Sequence, residues 1–431
     1  MKSVVVPAVD VPSSFVTLRS LHRRGVHTVA VSERESPPAF CSRYCDESVR
    51  VPSPADAATA YKDALLDLAR RDDVRTIVPV READIYVLSR YKEAFAEHVA
   101  TPFPDFGTLR AVHDRVELFD RAREAGVPIP ETELLTERTD WSEPRIVKSR
   151  YAVLADAYRE PPAARAESTD RPVRNDGAGS SRGEAPETEA GLVDPPKTTY
   201  LPPGERPDVD DLCEAAGHVP LVQAYLPDTD EYSFCAMYDH GEALATFQHR
   251  QVRGFSYSGG TSAFRTSVAD PDLEAEGLTL LDALDWHGPA DVEFKRDDRT
   301  GEFKLMEVNP RFWSSVPFAV AAGADFPLYY WLVATGRADR IEPGYDVGIG
   351  GHLLVGEISY LLSVVRDDVP LAERPSLPAA LADVLGSLVR YPRLDYADLA
   401  DPCPGLRYAS DELVAPLVER AARRLRGASA H

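Results

Sequence analysis

The 431-residue sequence predicts an α/β domain, then an α+β region, then a mostly helical C-terminal extension. Three observations predict it. From residue 3 to about 105, short apolar runs alternate with amphipathic stretches, the pattern of a parallel sheet covered on both faces. Between 218 and 309 strand-like runs follow one another as hairpins. Beyond 341 helical stretches are separated by proline-rich connections.

Each element has its own justification. "SVVVPA" is a short buried strand, "SFVTLRSLHRRG" an amphipathic helix closed by Gly25, and "VHTVAVS" a second strand. "ESVRVPS", the helix "DAATAYKDALLDLARR" and the strand "RTIVPV" continue the alternation. No GxGxxG follows the first strand, so no dinucleotide site is read there. "HDRVELFDRAREAGVPIPET" is a helix ended by Gly126, and "PRIVKSRY" a strand. Residues 159–196, rich in Pro, Gly, Ser and Glu, read as a flexible surface insertion. Its "NDGAGSSRG" has the glycines to cradle a phosphate but lacks a strand–loop–helix frame. "HVPLVQAYL" and "EYSFCAMYD" are strands, "GEALATFQHRQV" returns across the turn "DHGE", and "DPDLEAEGLTLLDALDWHG" is a helix. "GHLLVGEISYLLSVVRDD" is helical, and no internal repeat is present.

Composition narrows the function. Acidic residues number 70 against 48 basic ones, a net charge of -22, and only seven of the basic residues are lysines. Such a surface suits high salt, where self-repulsion is screened; an ordinary acidic enzyme is the alternative. It argues against general binding to nucleic acid, which needs basic patches. The five cysteines make no CxxC pair, and Cys41 and Cys45 read as core or loop thiols. The N-terminal apolar run is too short for a signal peptide and no run reaches membrane-spanning length, so a cytoplasmic location without membrane contact is expected.

The most informative stretch is "PADVEFKRDDRTGEFKLMEVNPR", residues 289–311. With a turn on "DRTG", Glu293 falls opposite Glu307 in an antiparallel pair. Val292, Phe294, Met306 and Val308 share one face; Asp291, Glu293, Lys295, Leu305, Glu307 and Asn309 share the other. Facing carboxylates destabilise a sheet by about a few tenths of a kcal/mol or more, unless a cation sits between them. Mg²⁺ (or Mn²⁺) is the hard cation that oxygen ligands of this kind select. The alternative is a solvated sheet face with Lys295 balancing the charge.

"DVEF" followed by "LMEVNPRF" resembles the metal-binding signature of the ATP-grasp superfamily, and the overall plan is similar to its carbamoyl-phosphate-synthetase-like carboxylate–amine ligases. The resemblance implies a Rossmann-like pre-ATP-grasp domain (1–110), a two-lobed ATP-grasp fold (111–340) and the helical extension (341–431). It implies ATP and Mg²⁺ as cofactors, with Glu293, Glu307 and Asn309 as metal ligands. Lys148 matches the strand lysine that contacts the α- and β-phosphates; a solvated strand-end lysine is the alternative. "LVQAYLPDTDEYSF" looks like the linker that receives adenine. There the backbone around Ala224 and Leu226 pairs with the purine, Gln223 stands where many relatives have an acid, and Glu231 takes the ribose hydroxyls. Arg311 matches the arginine on the transferring phosphoryl group. Arg265, in "YSGGTSAFRTS", is a carboxylate or phosphate ligand, or else half of a structural ion pair. His249 and Arg250 are further candidates for that cleft. Arg115 stands where many relatives have a first phosphate-binding lysine, and the long insertion replaces the usual glycine-rich lid.

The implied activity is a ligase that activates a carboxylate as an acyl phosphate and joins it to an amine. An ATP-dependent carboxylase working through carboxyphosphate and a non-catalytic ATP-binding sensor are the alternatives. The expected partners are a small carboxylate and an amine, and the tail beyond 340 is compatible with a homodimer contact.

Overall fold

A computed structural model describes residues 2–158, 191–227, 230–396 and 398–414. Strands β1 (Ser3–Val6), β2 (His27–Ser32), β3 (Glu47–Arg50) and β4 (Val74–Ile77) pair in parallel in the order β3-β2-β1-β4. β1 lies inside this sheet and is wholly buried, which is why its residues are continuously small or apolar. Helices α1 (Pro12–His22), α2 (Ala58–Ala69), α3 (Glu82–Arg90) and α4 (Lys92–Ala96) accompany the sheet. Because the chain crosses from β3 over β1 to β4, its direction of winding reverses between β1 and β4. A crevice opens at the carboxyl ends of strands at such a point.

Helices α5 (Phe106–His113) and α6 (Arg115–Ala125) lead out of this region. Asp114 caps α6 by accepting from the Val116 amide, and Gly126 ends it at φ 82°. The smaller lobe is an antiparallel sheet of β5 (Thr132–Leu134), β6 (Arg145–Lys148), β7 (Thr199–Leu201) and β8 (Leu221–Ala224), ordered β5-β8-β6-β7, with helix α7 (Val209–Ala216). Trp141, Val147, Leu201 and Val222 fill its own small core. Most of the predicted insertion, with its "NDGAGSSRG", lies outside the described residues.

The larger lobe is a six-stranded antiparallel sheet. It comprises β9 (Glu231–Asp239), β10 (Glu242–Ser256), β11 (Gly259–Val268), β12 (Gly288–Arg296), β13 (Phe303–Asn309) and β14 (Gly350–His352). Their order is β13-β12-β9-β10-β11-β14. Helix α8 (Pro271–Ala283) links β11 to β12 and packs so closely on the sheet that a Cβ on Gly277 would fall 2.2 Å from the Phe234 ring. Helices α9 (Val316–Ala321) and α10 (Phe326–Ala334) return to pack on α1. The extension adds α11 (Leu354–Arg366), α12 (Leu377–Arg390) and α13 (Pro402–Ala409). The predicted helix from Gly351 therefore begins only at Leu354, since Gly350–His352 add a strand to the sheet.

One cysteine reading is corrected. Cys41 is not a thiol but forms a disulfide with Cys403, 362 residues away, tying the first domain to α13. Ser42 and the Arg43 amide both donate to Asp401 at the same junction. Among the described residues no helix is long and apolar enough to cross a membrane.

Candidate active site

The site is built from sheet register. Glu307 pairs with Glu293, Glu293 with Ser233, and Ser233 with His249. Directly paired residues project from the same face, so these four side chains form one row across β13, β12, β9 and β10. A flanking row carries Asn309 and Asp291, and another carries Lys295, Glu231 and Gln251. The end of β6, with Lys148, and the start of α6, with Arg115, face this polar surface across a cleft of about 500 Å³.

The facing pair Glu293–Glu307 is present as predicted, but a local irregularity makes it so. The register slips by one residue between Glu293 and Phe294, leaving Met306 as the extra residue of a bulge. This exchanges two expected positions: Leu305 turns into the core at 0% exposure, and Met306 lines the cleft. With Ile146 and Tyr200 it gives the cleft an apolar end.

Charge is concentrated at the other end. Burial, then the Glu307 and Asp291 carboxylates, push Glu293 well above the usual carboxylate range. Asp291 is pushed up to about 6, mainly by burial. Burial also works against a charged Glu307, but Arg115, donating to it at 2.8 Å, more than offsets this and holds its carboxyl low. The Asn309 Nδ2 group donates to Glu293 at 2.9 Å and to Asp291 at 3.3 Å. An amide thus sits where positive charge is wanted, and every available ligand atom is a hard oxygen. That donor set fits Mg²⁺ or Mn²⁺ held by Glu293, Glu307 and Asn309.

Around this acidic centre stand three cations. Lys148 is half-buried and has no ion pair among the described residues, its ammonium lying 5.7 Å from the centre of the Phe119 ring. Burial, then Arg115, depress its pKa to about 7. Arg115 is held by the Ser149 carbonyl at 3.0 Å as well as by Glu307. Arg311 donates to Glu82 at 2.6 Å and to the Asn309 amide oxygen at 3.1 Å. Glu82 also meets His113 Nε2 at 2.9 Å.

The structure brings Lys148, Glu231, Glu293, Glu307, Asn309, Arg311 and His249 into this cleft. It does not bring in five others. Gln223 and Ala224 lie on β8, between β5 and β6, where both strand edges are already paired. The Ala224 amide donates to Glu131 at 2.9 Å, and the buried Gln223 side chain donates to Thr132. Leu226 is buried beside an adjoining cavity that Glu231 also lines. The Ala224 amide and the Gln223 side chain are thus engaged within the sheet, and Leu226 lies outside the cleft beside that adjoining cavity. Arg265 is wholly buried in an ion pair with Asp395, so the structural alternative holds and the substrate-ligand assignment is withdrawn. Arg250 points to the opposite face from His249 and pairs with Asp230.

Three contributors were missed. Asp291 was legible, since it shares Glu293's face, but it was not counted as a ligand. The Arg115–Glu307 contact gave only the hint of a basic residue before α6. Glu82 gave none, because it meets Arg311 across 229 residues.

No family model matches the chain, and no curated protein matches it. Solved structures do. The biotin carboxylase domain of Hydrogenobacter thermophilus 2-oxoglutarate carboxylase, with MgADP, ADP and bicarbonate, superposes with a TM-score of 0.56 at 14% identity, over 81% of this chain and 73% of that one. N5-carboxyaminoimidazole synthetase from Staphylococcus aureus, with ADP, gives 0.53 at 14% identity over 81% and 80%. Rhizobium etli pyruvate carboxylase with acetyl coenzyme A gives 0.53 at 16% identity over 79% of this chain, which spans only 28% of that enzyme. These likenesses establish the fold: an α/β N-terminal domain, a two-lobed ATP-grasp core and a helical C-terminal extension.

Proposed function

We propose that the protein is an ATP-dependent enzyme that phosphorylates a small carboxylate and transfers the activated acyl group to an amine. The observation that carries this is the facing Glu293–Glu307 pair ringed by Lys148, Arg115 and Arg311 in one cleft. The apolar end formed by Ile146, Tyr200 and Met306 suits a purine, and Glu231 suits its ribose hydroxyls. Lys148, without an ion pair among the described residues, offers its ammonium to phosphate oxygens. A divalent ion held by Glu293, Glu307 and Asn309 would neutralise phosphate charge in the transfer.

In the first step an oxygen of the acid attacks the γ-phosphorus and ADP departs. Lys148 and Arg311 face the charge spread over the transferring group, where fixed positive charge is most effective. In the second step the amine nitrogen attacks the carbonyl carbon of the acyl phosphate, its proton is lost, and inorganic phosphate leaves. A neighbouring cavity of about 740 Å³ shares Thr261, Arg311 and Ser314 with the cleft and reaches the crevice between β1 and β4. It is the proposed entry for the acceptor.

Two readings differ in the acid. Bicarbonate, through carboxyphosphate, is the better supported, because the chain resembles carboxylases, one of them holding bicarbonate and MgADP. Joining an organic acid to an amine, as carboxylate–amine ligases do, is the second, and rests on the signature around Glu307 alone. Incubation with Mg-ATP, labelled bicarbonate and a pool of amines is expected to release phosphate and fix label. Phosphate release without label would move the assignment to an organic acid. Glu307→Gln should lose most of the turnover while melting like the wild type; ATP cleavage at the wild-type rate in that variant would sink the reading.

A further inference from the structure

Besides Arg115 Nε, whose guanidinium is already held by Glu307 and Ser149, three buried uncharged donors in the wall of the cleft have no hydrogen-bond partner among the described residues: His249 Nδ1, Ser262 Oγ and Trp313 Nε1. Their residues are 3%, 6% and 2% exposed. Leaving such a group unpaired costs roughly 1–3 kcal/mol, so three around one cleft point to something that binds there. Their chemistry restricts what that is. An indole N–H only donates, so its partner must bring a lone pair. His249 Nε2 meets the Ser315 hydroxyl at 2.8 Å, and accepting from it leaves Nδ1–H as a donor. Burial and the nearby Arg265 hold the imidazole neutral, its pKa pushed down to about 3.

Position adds a second restriction. His249 lies two strands from Glu293 in the same row, about 10 Å at ordinary strand spacing, beyond the acidic centre rather than in it. Ser262 stands on β11, the next strand, and Trp313 follows the Asn309–Arg311 turn closely. None of the three carries charge, which matches a singly charged acceptor better than a phosphate. The cleft of about 500 Å³ must also take the nucleotide, so the molecule is small. We propose that His249, Ser262 and Trp313 form the subsite that holds the carboxylate of the acid substrate. This deepens the function proposed above and rests on it.

The test is phosphate release with Mg-ATP, titrating bicarbonate in one series and acetate in another. Trp313→Phe keeps the ring and removes the donor; Ser262→Ala removes the hydroxyl, and Ser262→Thr restores one. Each donor removal should raise KM for the effective acid about tenfold, as expected for a hydrogen bond to a charged group, with KM for ATP within about twofold. Ser262→Thr should recover most of the loss. Saturation by bicarbonate or by acetate identifies the acid. An unchanged acid KM in both Trp313→Phe and Ser262→Ala, or a parallel rise in KM for ATP, would overturn the subsite while leaving the proposed function standing. Failure of both acids to stimulate phosphate release from the wild type, although manganese and ATP bind, would remove the proposed function and the subsite with it.

Discussion

Lys148 ends β6 with its ammonium among Arg115, the Phe119 ring and two carboxylates it does not touch. Its pKa of about 7, set by burial and then by Arg115, lies below the value near 10.4 expected of an unfolded lysine. Between those values the unfolded chain binds a proton that the folded protein gives up. The slope of unfolding free energy against pH has the sign of that difference, so Lys148 makes the fold more stable as pH rises from about 7 towards 10. Below pH 7 both states hold the proton and the full cost of burying the charge is felt. Lys148→Met removes the titrating group. Denaturant unfolding at pH 7 and pH 9 should show the wild type gaining more stability than the variant over that interval; equal gains would contradict the burial of this charge. The same variant should bind ATP more weakly. The residue stands out in the sequence as a candidate phosphate contact because a lysine closing an apolar strand is conspicuous in a lysine-poor chain. Its depressed pKa was not, since Arg115 arrives from another element.

At the scale of elements, the polar row and the helix behind it form one unit. Phe234 is fully buried on β9 beside Ser233 of the polar row, and α8 approaches it through Gly277. In Gly277→Ala a methyl would meet the Phe234 ring at 2.2 Å. Alanine favours the helix by about 1 kcal/mol over glycine, but overpacking a filled core costs about 1–3 kcal/mol. Steric cost should win, lowering the denaturation midpoint, and Phe234→Leu in the same chain should restore part of it. Additive losses in the double variant would show that the two residues do not press on each other. Alternation and turn chemistry made the strands, the hairpins and the Glu293–Glu307 pair readable. The bulge at Met306 was not readable, because uniform pairing around "DRTG" looks equally good on paper. Nor was the enclosure of β8: a strand's neighbours depend on sheet order, which sets Gln223 and Ala224 between two paired strands. Arg265 needed Asp395, 130 residues away, before its role could be told.

Over the whole molecule two effects of salt oppose one another. The chain carries a net charge of -22, and self-repulsion of that charge disfavours the compact state. Against it stand surface ion pairs, among them Arg71 with Glu47 and Asp73, and Arg138 with Glu131 and Glu133. Exposed pairs of this kind contribute about 0–1 kcal/mol each, and salt weakens them too. Pairing leaves a large acidic excess whatever its geometry, because there are 70 acids and 48 bases. Repulsion between those unmatched acids is long-ranged at low salt, and the screening length falls from about 10 Å at 0.1 M to about 3 Å at 1 M. The repulsive term should therefore shrink more than the attractive one. The melting temperature should rise between 0.1 and 1 M KCl, with most of the gain at the lower end, where the screening length changes fastest. The disulfide from Cys41 to Cys403 ties the two ends of the described chain together in either condition, so it does not alter the sign. A melting temperature that falls steadily over this range would mean that the ion pairs outweigh the net charge, and the salt-adapted reading of the surface would have to be given up.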